Sequence, residues 1–561
     1  MDVKDLNNNP INPKSRSAKI KRSVYVALVW HQHQPFYVDI AKDGLTGPWV
    51  RKHATKDYYD MASMLRDYPQ VHVTINLTAV LLTQLQKYYV ERLAPFVDTK
   101  NNRVDEEAFL AQYRGKTDPW IDLLLDDTPD PEGKVAPKPT DQQLELFYNG
   151  AWSCLSTSDA LMSFFPEYKA LRDRAPVTYT HDDLLLLKVM FEIAWFDPDF
   201  LNGPVTLPDG SVVDLSDVVL KDEQGRFYLR GKPTEELANR LVAEEFKIMK
   251  NIVEIHRQLR FDPEECAKSA GCSGQIEIST TPFYHPILPL IYDSDIAKKV
   301  QPFDAMPPRF SFPEDAQAQV GRAVKFYVDL FGRPPIGMWP GEGSVAEEVV
   351  SSFVRYGIKW IATDQQVLVQ TLQKMGLETS GCPHCKPYRL DSDVVSGDGG
   401  SQDDEMAIVF RDTGLSNKIS WSYQPMWGQQ AVLDLMKDIA NMAPPFGGAD
   451  RLIVIVMDGE NAWEHFLKEH DAKGFLKALY RTLNDGAQMG EVVPVTVGEY
   501  LLGNDQRNVP AHPIHDLKEL EPLWPGSWIN GDFSVWIGEP EENAGWGYLL
   551  QARQALKASG L

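Results

Sequence analysis

Seven short apolar runs rich in β-branched residues constrain the fold of this chain more than any other feature. Most are followed by a polar turn and then by apolar residues at three- and four-residue spacing, as in Val345–Tyr356, Gln430–Met442 and Ala472–Leu483. Repeated strand-then-helix units predict a parallel sheet. The runs are Val24–Trp30, Val71–Leu77, Gln275–Ser279, Pro335–Trp339, Ile358–Thr363, Met406–Phe410 and Leu452–Met457. We therefore predict an α/β fold, a (β/α)7 barrel one strand short of the usual eight, with helical insertions and a C-terminal helical region.

The predicted barrel occupies residues 23–496, with a helical insertion at about 98–260 between its second and third strands. Within the insertion, Asp98–Thr140 is polar and rich in Pro and Asp, which predicts a long loop or lid. An Asp-Gly pair inside Val205–Val213 predicts a hairpin.

Outside the barrel core, we expect residues 1–22 to form a disordered tail because they are polar and end in a basic cluster. The Gly-, Asp- and Ser-rich stretch Asp391–Glu405 predicts a mobile loop. Residues 497–561 are helical in pattern and then rich in tryptophan, and we expect them to pack on the barrel.

The charge balance and hydropathy limit which partners the protein can bind. With 56 basic and 79 acidic residues the net charge is −23, which is opposite to what a phosphate backbone attracts, so no nucleic-acid partner is expected. No stretch approaches the roughly 20 apolar residues that cross a bilayer. The apolar run after the basic cluster is short for a signal peptide. These features predict a soluble, cytoplasmic protein without a membrane partner.

Five cysteines are too few for a disulfide framework in a chain of this size. Cys382 and Cys385 form a C-x-x-C pair, and Cys266 with Cys272 could supply a second pair for a structural metal. The spacing of the second pair differs from that of a zinc knuckle, so free loop thiols are favoured.

Two predicted strands end in acids. Glu342 follows Trp339-Pro340-Gly341, where Pro and Gly end the strand and let the backbone turn toward the mouth of a barrel. Asp458 ends the last apolar run and is followed by Glu460 and, close behind, His465. Catalytic residues of such barrels lie at the C-terminal ends of strands, and two facing carboxylates are the minimum apparatus for cutting a glycosidic bond.

Other polar and aromatic groups adjoin strand ends. His31 and His33 alternate at the end of the first strand, so both should face one side, where they could bind a metal or sugar hydroxyls. Glu277 lies inside an apolar strand, and His285 follows that strand. A buried acid is costly unless it is paired or functional. Trp528 belongs to a Trp-, Gly- and Asn-rich segment whose indoles could stack on sugar rings.

Together these segments resemble glycoside hydrolase family 57, and most closely the amylopullulanase and α-amylase group within it. Five motifs of the family occur in order at His31–Pro35, Gly274–Glu277, Trp339–Ser344, Met457–Glu460 and the Trp524–Ile537 region, so the similarity extends from about Ser23 to the C-terminus. Where the group often has Ser before the acid of the third motif, this chain has Gly341.

The resemblance implies a retaining enzyme that acts on α-glucans, and we expect it to cleave α-1,4 and also α-1,6 bonds. By motif, Glu342 matches the nucleophile and Asp458 the acid/base. A covalent carboxylate mechanism needs no Lewis acid, so neither a cofactor nor a catalytic metal is expected. His31, His33, Glu277, Glu460 and Trp528 match positions that shape the sugar subsites. Trp339 of the third motif, together with His285 and His465 beside the motifs, is predicted to bind substrate as well.

The residues leave several functions open. A 4-α-glucanotransferase or branching enzyme would use the same scaffold with a sugar in place of water. A metal-dependent polysaccharide deacetylase could use His31, His33 and Asp458, and a glucan-binding protein would bind without turnover. Linkage preference, substrate length and oligomeric state are not specified by the residues.

Overall fold

Seven parallel strands form the centre of the molecule. The computed structural model describes residues 24–130, 138–268, 272–392, 405–445, 448–460 and 462–560. The strands are β1 (Val24–Gln32), β2 (Val73–Leu77), β3 (Ile276–Ser279), β4 (Gly337–Met338), β5 (Trp360–Asp364), β6 (Glu405–Arg411) and β7 (Arg451–Asp458). Their order is β3-β2-β1-β7-β6-β5-β4. The predicted α/β class and seven-stranded barrel are confirmed.

The ends of the sheet approach each other, so the barrel is nearly closed. The Trp339 amide donates to the carbonyl of Thr280, 3.0 Å away, and Thr280 pairs with Met338 in a parallel bridge between β3 and β4. Two further strands lie off this path: Tyr388–Asp391 pairs antiparallel with β6, and Val492–Pro494 pairs with the start of β1.

Alternation along the strands separates the lumen from the outer layer. Tyr25, Ala27 and Val29 of β1 pack in the lumen with alternate residues of β7, whereas Val24, Val26 and Leu28 pack outward under the helices. Because both faces of β1 are buried, its sequence is continuously apolar, as expected for a parallel barrel strand. The same alternation carries His31 to the C-terminal mouth, level with Asn76 of β2 and Asp458 of β7.

Helices surround the strands and close the barrel from below. The principal ones are α1 (Glu235–Gln258), α2 (Pro313–Phe331), α3 (Gln365–Lys374), α4 (Gly428–Asn441), α5 (Lys473–Met489), α6 (Val497–Leu502) and α7 (Pro540–Ala558). The patterns predicted at Gln430–Met442 and Ala472–Leu483 correspond to α4 and α5. The pattern at Val345–Tyr356 forms less helix than predicted, a 3-10 turn at Glu347–Val349 followed by Val350–Val354.

The insertion between β2 and β3 is packed around α1. Its other helical segments include Glu106–Tyr113, Pro119–Leu125, Pro166–Arg172, His181–Ile193 and Pro198–Asn202, whereas Trp49–His53 lies between β1 and β2. The predicted loop at Asp98–Thr140 is wrong over its described part, because two of these helices lie there and bury Phe109 and Trp120. The side chains of Asp105 and Asp118 accept bonds from the first turns of these helices, so residues typical of loops serve here as N-caps. The hairpin at Val205–Val213 is present.

The C-terminal segment returns to the barrel mouth. Gly526 forms a reciprocal backbone pair with Val345, which follows the β4 turn. Phe533 and Ile537 are buried against Leu290 and Ala346. Helix α6, in the predicted C-terminal region, places Tyr500 and Leu501 in the lumen cluster, the group of buried side chains that includes Tyr25, Ala27 and Val29.

The cysteines correct another expectation. The structure pairs Cys266 with Cys272 and Cys382 with Cys385 as disulfides, so the prediction of free loop thiols fails for these four, while Cys154 is a buried free thiol. The predicted tail at 1–22 and most of the predicted loop at Asp391–Glu405 lie outside the described residues. None of the helices in the described ranges is long and apolar enough to cross a membrane.

Candidate active site

A cleft of about 490 Å³ opens at the C-terminal end of the barrel strands. The strands, the insertion and the C-terminal segment all contribute to its wall. The lining residues are His31, His33, Gln34, Pro35, Tyr37, Trp49, His53, Ser156, Trp195, Glu342, Asp458, Glu460, Glu464 and Trp528. A larger cavity of about 860 Å³, near the start of β1, has no carboxylate among its lining residues. The cleft is therefore the better candidate for acid/base chemistry.

Glu342 lies on a tight left-handed turn directly after β4. Its φ of 57° and ψ of 26° fall in a backbone region that residues other than glycine rarely adopt. Gly341 allows this turn to approach the barrel, because a Cβ there would lie 2.4 Å from the carbonyl oxygen of Pro286. Strained backbone of this kind persists where surrounding structure enforces it, and it clusters at functional sites.

The carboxylate of Glu342 has a specific donor. The Trp528 indole Nε1–H donates to Oε2 at 2.8 Å, and the Trp528 backbone amide donates to the Glu342 carbonyl at 3.1 Å. Burial raises the pKa of Glu342, the Trp528 bond opposes that rise, and the negative charge of Asp458 adds to it. The two acids thus share one cleft and interact electrostatically.

Asp458 is the last residue of β7 and pairs in register with His31. The His31 Nδ1–H donates to Asn76 Oδ1 at 2.7 Å, which fixes the proton on Nδ1 and leaves Nε2, 3.1 Å from His285 Nε2, on the other side of the ring. Burial lowers the pKa of His31. A neutral imidazole with a defined tautomer can hydrogen-bond a sugar hydroxyl.

His33 and His285 form a stacked pair beside this group. Their ring centroids are 3.9 Å apart at an interplanar angle of 12°. Burial lowers the pKa of both rings well below the usual range. His285 Nδ1 lies 3.7 Å from Glu342 Oε1, so His285 stands behind the nucleophile candidate rather than in the cleft wall.

Glu460 lines the same cleft from the turn after β7. It accepts from the backbone amide of His33 at 3.3 Å and from Gln34 Nε2 at 3.1 Å. Burial raises the pKa of Glu460 well above its usual value. These bonds tie the ends of β1 and β7 together at the floor of the cleft.

Besides His285, three predicted substrate-binding residues lie outside the cleft wall. Trp339 is fully buried, with its ring 5.2 Å from that of Trp528, so it supports the lining residue. His465 is partly exposed on the turn beyond Glu464 and does not line the cavity. Trp339 and His465 are close in sequence to Glu342 and Asp458. Their side chains lie near the cleft but do not line it.

Glu277 is the third, and it lies inside the lumen. It accepts from Trp360 Nε1 at 2.7 Å and from the Gly498 amide, at the N-terminus of α6, at 2.8 Å. Burial raises the pKa of this carboxyl to about 7. The cost of a buried acid is offset by hydrogen bonds that join β3, β5 and α6, so the structure gives Glu277 a structural environment away from the cleft.

Two residues that sequence reasoning missed lie behind Trp528. Arg411 ends β6 and donates through Nη1 to Asp364 Oδ2 at 2.8 Å and through Nε to the carbonyl of Val456 at 2.7 Å. Its guanidinium lies 5.3 Å from the centre of the Trp528 ring. A charged residue at the end of an apolar strand was the signal that identified Glu342 and Asp458, and it also marks Asp364 and Arg411.

Three more lining residues come from helical parts of the chain: Trp49 and His53 from the segment between β1 and β2, and Trp195 from the insertion. His53 Nδ1 lies 2.7 Å from Asp57 Oδ2, and Asp57 also accepts from Lys56 Nζ at 2.6 Å. No strand pattern marks these residues, because Trp49 and His53 precede β2 and Trp195 follows the helix His181–Ile193.

Two groups among the described residues bring three candidate metal ligands together: Asp60 with Asp197 and Asp199, and Cys382 with His384 and Cys385. The ammonium of Lys473 already occupies the first, 2.8 Å from Asp197 and 3.0 Å from Asp199. His31, His33 and Asp458 do not form such a group within the described ranges. The ligand set that the deacetylase reading requires is therefore not assembled in the cleft.

One known protein family matches most of this chain. The sequence model of glycosyl hydrolase family 57 matches residues 27–507. This chain belongs to glycosyl hydrolase family 57. Membership identifies the protein as an enzyme that acts on glycosidic bonds. Among curated proteins, no sequence matches it significantly.

Solved structures of family 57 enzymes are similar to this chain at low identity. The branching enzyme of Pyrococcus horikoshii is 14% identical, with 93% of this chain and 76% of that one covered and a TM-score of 0.50. The branching enzyme of Thermococcus kodakaraensis is 14% identical, with 94% and 78% covered and a TM-score of 0.47. The α-amylase AmyC of Thermotoga maritima is 12% identical, with 91% and 79% covered and a TM-score of 0.44.

Proposed function

We propose that this protein is a retaining glycoside hydrolase that cleaves α-1,4 bonds, and in branched substrates α-1,6 bonds, of α-glucans in the cytoplasm. The observation that carries the proposal is the placement of Glu342 and Asp458 on one cleft at the C-terminal end of the barrel. Glu342 is held by a single indole donor on a strained turn, and Asp458 is close enough for its charge to raise the pKa of Glu342.

The mechanism assigns one role to each acid. Asp458 in its protonated form donates to the departing glycosidic oxygen while the carboxylate of Glu342 attacks the anomeric carbon and forms a glycosyl ester. Asp458 then takes a proton from water, which releases the sugar with retained configuration. For this mechanism the two carboxyl groups should lie about 5–5.5 Å apart.

The remaining cleft residues bind the sugar. Neutral His31 and His33, together with Glu460, offer donors and acceptors to hydroxyl groups. The indole of Trp528 offers an apolar face to a pyranose ring while its N–H holds the nucleophile. None of these roles requires a cofactor.

Glu342→Gln tests the assignment. The amide keeps the shape of the side chain but cannot form the ester, so turnover should fall by several orders of magnitude while glucan binding persists. The measurement is reducing-end release from starch, with binding followed separately by calorimetry. Glu347→Gln is the matched control, because Glu347 follows the same turn without lining the cleft. Near-normal turnover of the Glu342 variant would refute the role.

A second candidate, α-glucan transfer, is favoured by one observation. The cleft that holds the acids is also lined by three aromatic side chains, Tyr37, Trp49 and Trp195, which can hold an acceptor sugar and limit access of water to the ester. The structurally similar protein from Pyrococcus horikoshii is a branching enzyme. Incubation with maltooligosaccharides, starch and pullulan separates the two. Transfer gives products longer than the substrate or new branch points, and hydrolysis gives only shorter chains.

A further inference from the structure

A second cluster of chemically active side chains lies on the outside of the barrel, beside β6 and β7. Cys382, His384 and Cys385 place their ligand atoms within 4.8 Å of one another. His384 Nε2 is 3.7 Å from Cys382 Sγ and 2.9 Å from Asp412 Oδ2. Nothing in the glycosidic reaction uses these groups.

We propose that in the reduced protein Cys382, His384 and Cys385 bind one divalent ion of the zinc class, with Asp412 orienting the imidazole through its hydrogen bond. Two thiolates three residues apart and an imidazole supply three ligands of a tetrahedral zinc site, with a water as the fourth. From metal–ligand lengths of about 2.3 Å for sulfur and about 2.0–2.1 Å for nitrogen, a tetrahedral site needs an N···S spacing of about 3.6 Å. The observed 3.7 Å agrees with this spacing.

The carboxylate is already held in place for this role. Asp412 is buried, and its Oδ1 accepts from the Leu415 amide at the start of the helix Thr413–Asn417, which leaves Oδ2 directed at His384. Within the described part of the chain, the ion-pair partner of Asp412 is His384. Unlike the Asp60 group, which Lys473 fills, this group has no ammonium or guanidinium at its centre among the described residues.

An ion at this location would stabilise the barrel between two strands that share few backbone pairs. Strands β6 and β7 share one register pair, Arg411 with Val454, whereas β1 and β7 share eight and β5 and β6 share five. The cluster spans this weakly paired seam, because the Cys385 carbonyl accepts from the Leu452 amide and the Asp412 amide donates to the Val454 carbonyl. An ion bound by Cys385 and by His384, which Asp412 holds, would link the strand that carries Asp458 to the strand that carries Arg411.

The site requires reduction of the Cys382–Cys385 disulfide. A thiol or phosphine reductant supplies two electrons, the S–S bond breaks, and two protons from water give two thiols while the reductant is oxidised. Binding of the ion then releases those two protons as the thiolates form. A reducing cytoplasm favours the metal-binding form, and an oxidising compartment favours the disulfide.

The test uses the full-length protein, freed of metal, reduced anaerobically with a phosphine and titrated with Co²⁺ and then Zn²⁺. We expect one equivalent of Co²⁺ to bind with thiolate-to-metal charge-transfer absorption and to be displaced by Zn²⁺. Zn²⁺ should raise the Tm of the reduced protein. Asp412→Asn should weaken binding by about 10-fold or more.

Matched controls locate the site. Cys266→Ser/Cys272→Ser removes the other cysteine pair and should leave binding intact, whereas Cys382→Ser/Cys385→Ser should abolish it. If the second variant fails to fold, the Cys266→Ser/Cys272→Ser protein is compared in oxidised and reduced forms, and only the reduced form should bind. Less than stoichiometric binding by the reduced wild type, binding that survives loss of Cys382 and Cys385, or binding that is lost with Cys266 and Cys272 would overturn the proposal.

Discussion

At the residue scale, the nucleophile candidate depends on groups that come from distant parts of the chain. Glu342 follows β4, its indole donor Trp528 belongs to the C-terminal segment, and the guanidinium of Arg411 behind Trp528 ends β6. The donor stabilises the charged form of a buried carboxyl, which otherwise has a raised pKa. The reactivity of Glu342 should therefore depend on Trp528 as much as on its own turn.

Trp528→Phe keeps an aromatic ring against Arg411 but removes the N–H. The Glu342 carboxylate loses a hydrogen bond, so its pKa should rise, and the acidic limb of the kcat/KM profile should move to higher pH. Nucleophilic attack needs the carboxylate, so activity at low pH should be lost first. Trp524→Phe is the control, because its Nε1–H donates to the Gly531 carbonyl instead. An unshifted limb in the Trp528 variant would show that the indole bond does not set this pKa.

Sequence alone could predict Glu342 and Asp458 because each follows an apolar strand at a break in the pattern. It could not separate Trp339 from Trp528, since both lie in aromatic, Gly-rich stretches. Their distinction arises from the left-handed turn at Glu342, which buries Trp339 beneath the cleft and brings Trp528 onto the carboxylate.

At the element scale, polar bonds between strand ends supplement the ladder. Arg411 of β6 and Asp364 of β5 form a buried ion pair at 2.8 Å. Removal of one member leaves the other charge buried without its partner, which typically costs about 3–5 kcal/mol.

Arg411→Met should lower the free energy of unfolding by about 3 kcal/mol, and Arg411→Met/Asp364→Asn should recover much of that loss because no charge is left buried. Urea denaturation of both variants gives the comparison. Equal stability of the single variant and the wild type would mean that the pair contributes little to the junction of β5 and β6.

Glu277 joins β3 to α6 and Trp360, and its pKa of about 7 makes the stability of the barrel depend on pH. The folded state holds this proton more tightly than the unfolded chain, so the free energy of unfolding should fall as pH rises from about 4.5 to 7, by on the order of 3 kcal/mol. Glu277→Gln should remove that dependence and leave KM for maltooligosaccharides unchanged. Urea unfolding at pH 5 and pH 8 checks the first effect. A large rise in KM would restore a substrate-binding role.

The strands were predictable because each is a short apolar run that is buried on both faces. The helices of the insertion were harder to predict. Glu106–Tyr113 and Pro119–Leu125 are short, and the Asp and Pro residues at their starts, which are typical of loops, serve as N-caps and as a first helical residue. Helix α6 belongs to the region 497–561 that is predicted to pack on the barrel, and nothing in its own pattern indicates that Tyr500 and Leu501 join the lumen cluster.

At the scale of the whole molecule, three regions that are far apart in sequence build one cleft. The barrel supplies the acids, the insertion supplies Trp195, and the C-terminal segment supplies Trp528. Such a cleft exists only in the folded whole, so its full lining could not be derived from strand patterns.

The central claim is that Glu342 forms a covalent bond to the sugar. The most direct measurement incubates the protein with a fluorinated α-glucosyl fluoride, whose ester is hydrolysed slowly, and maps the labelled peptide by mass spectrometry. We predict one sugar attached to Glu342, with none on the Glu342→Gln variant. A label on Asp458 or another residue, or turnover of the reagent with inversion at the anomeric carbon and no labelled peptide, would contradict the account.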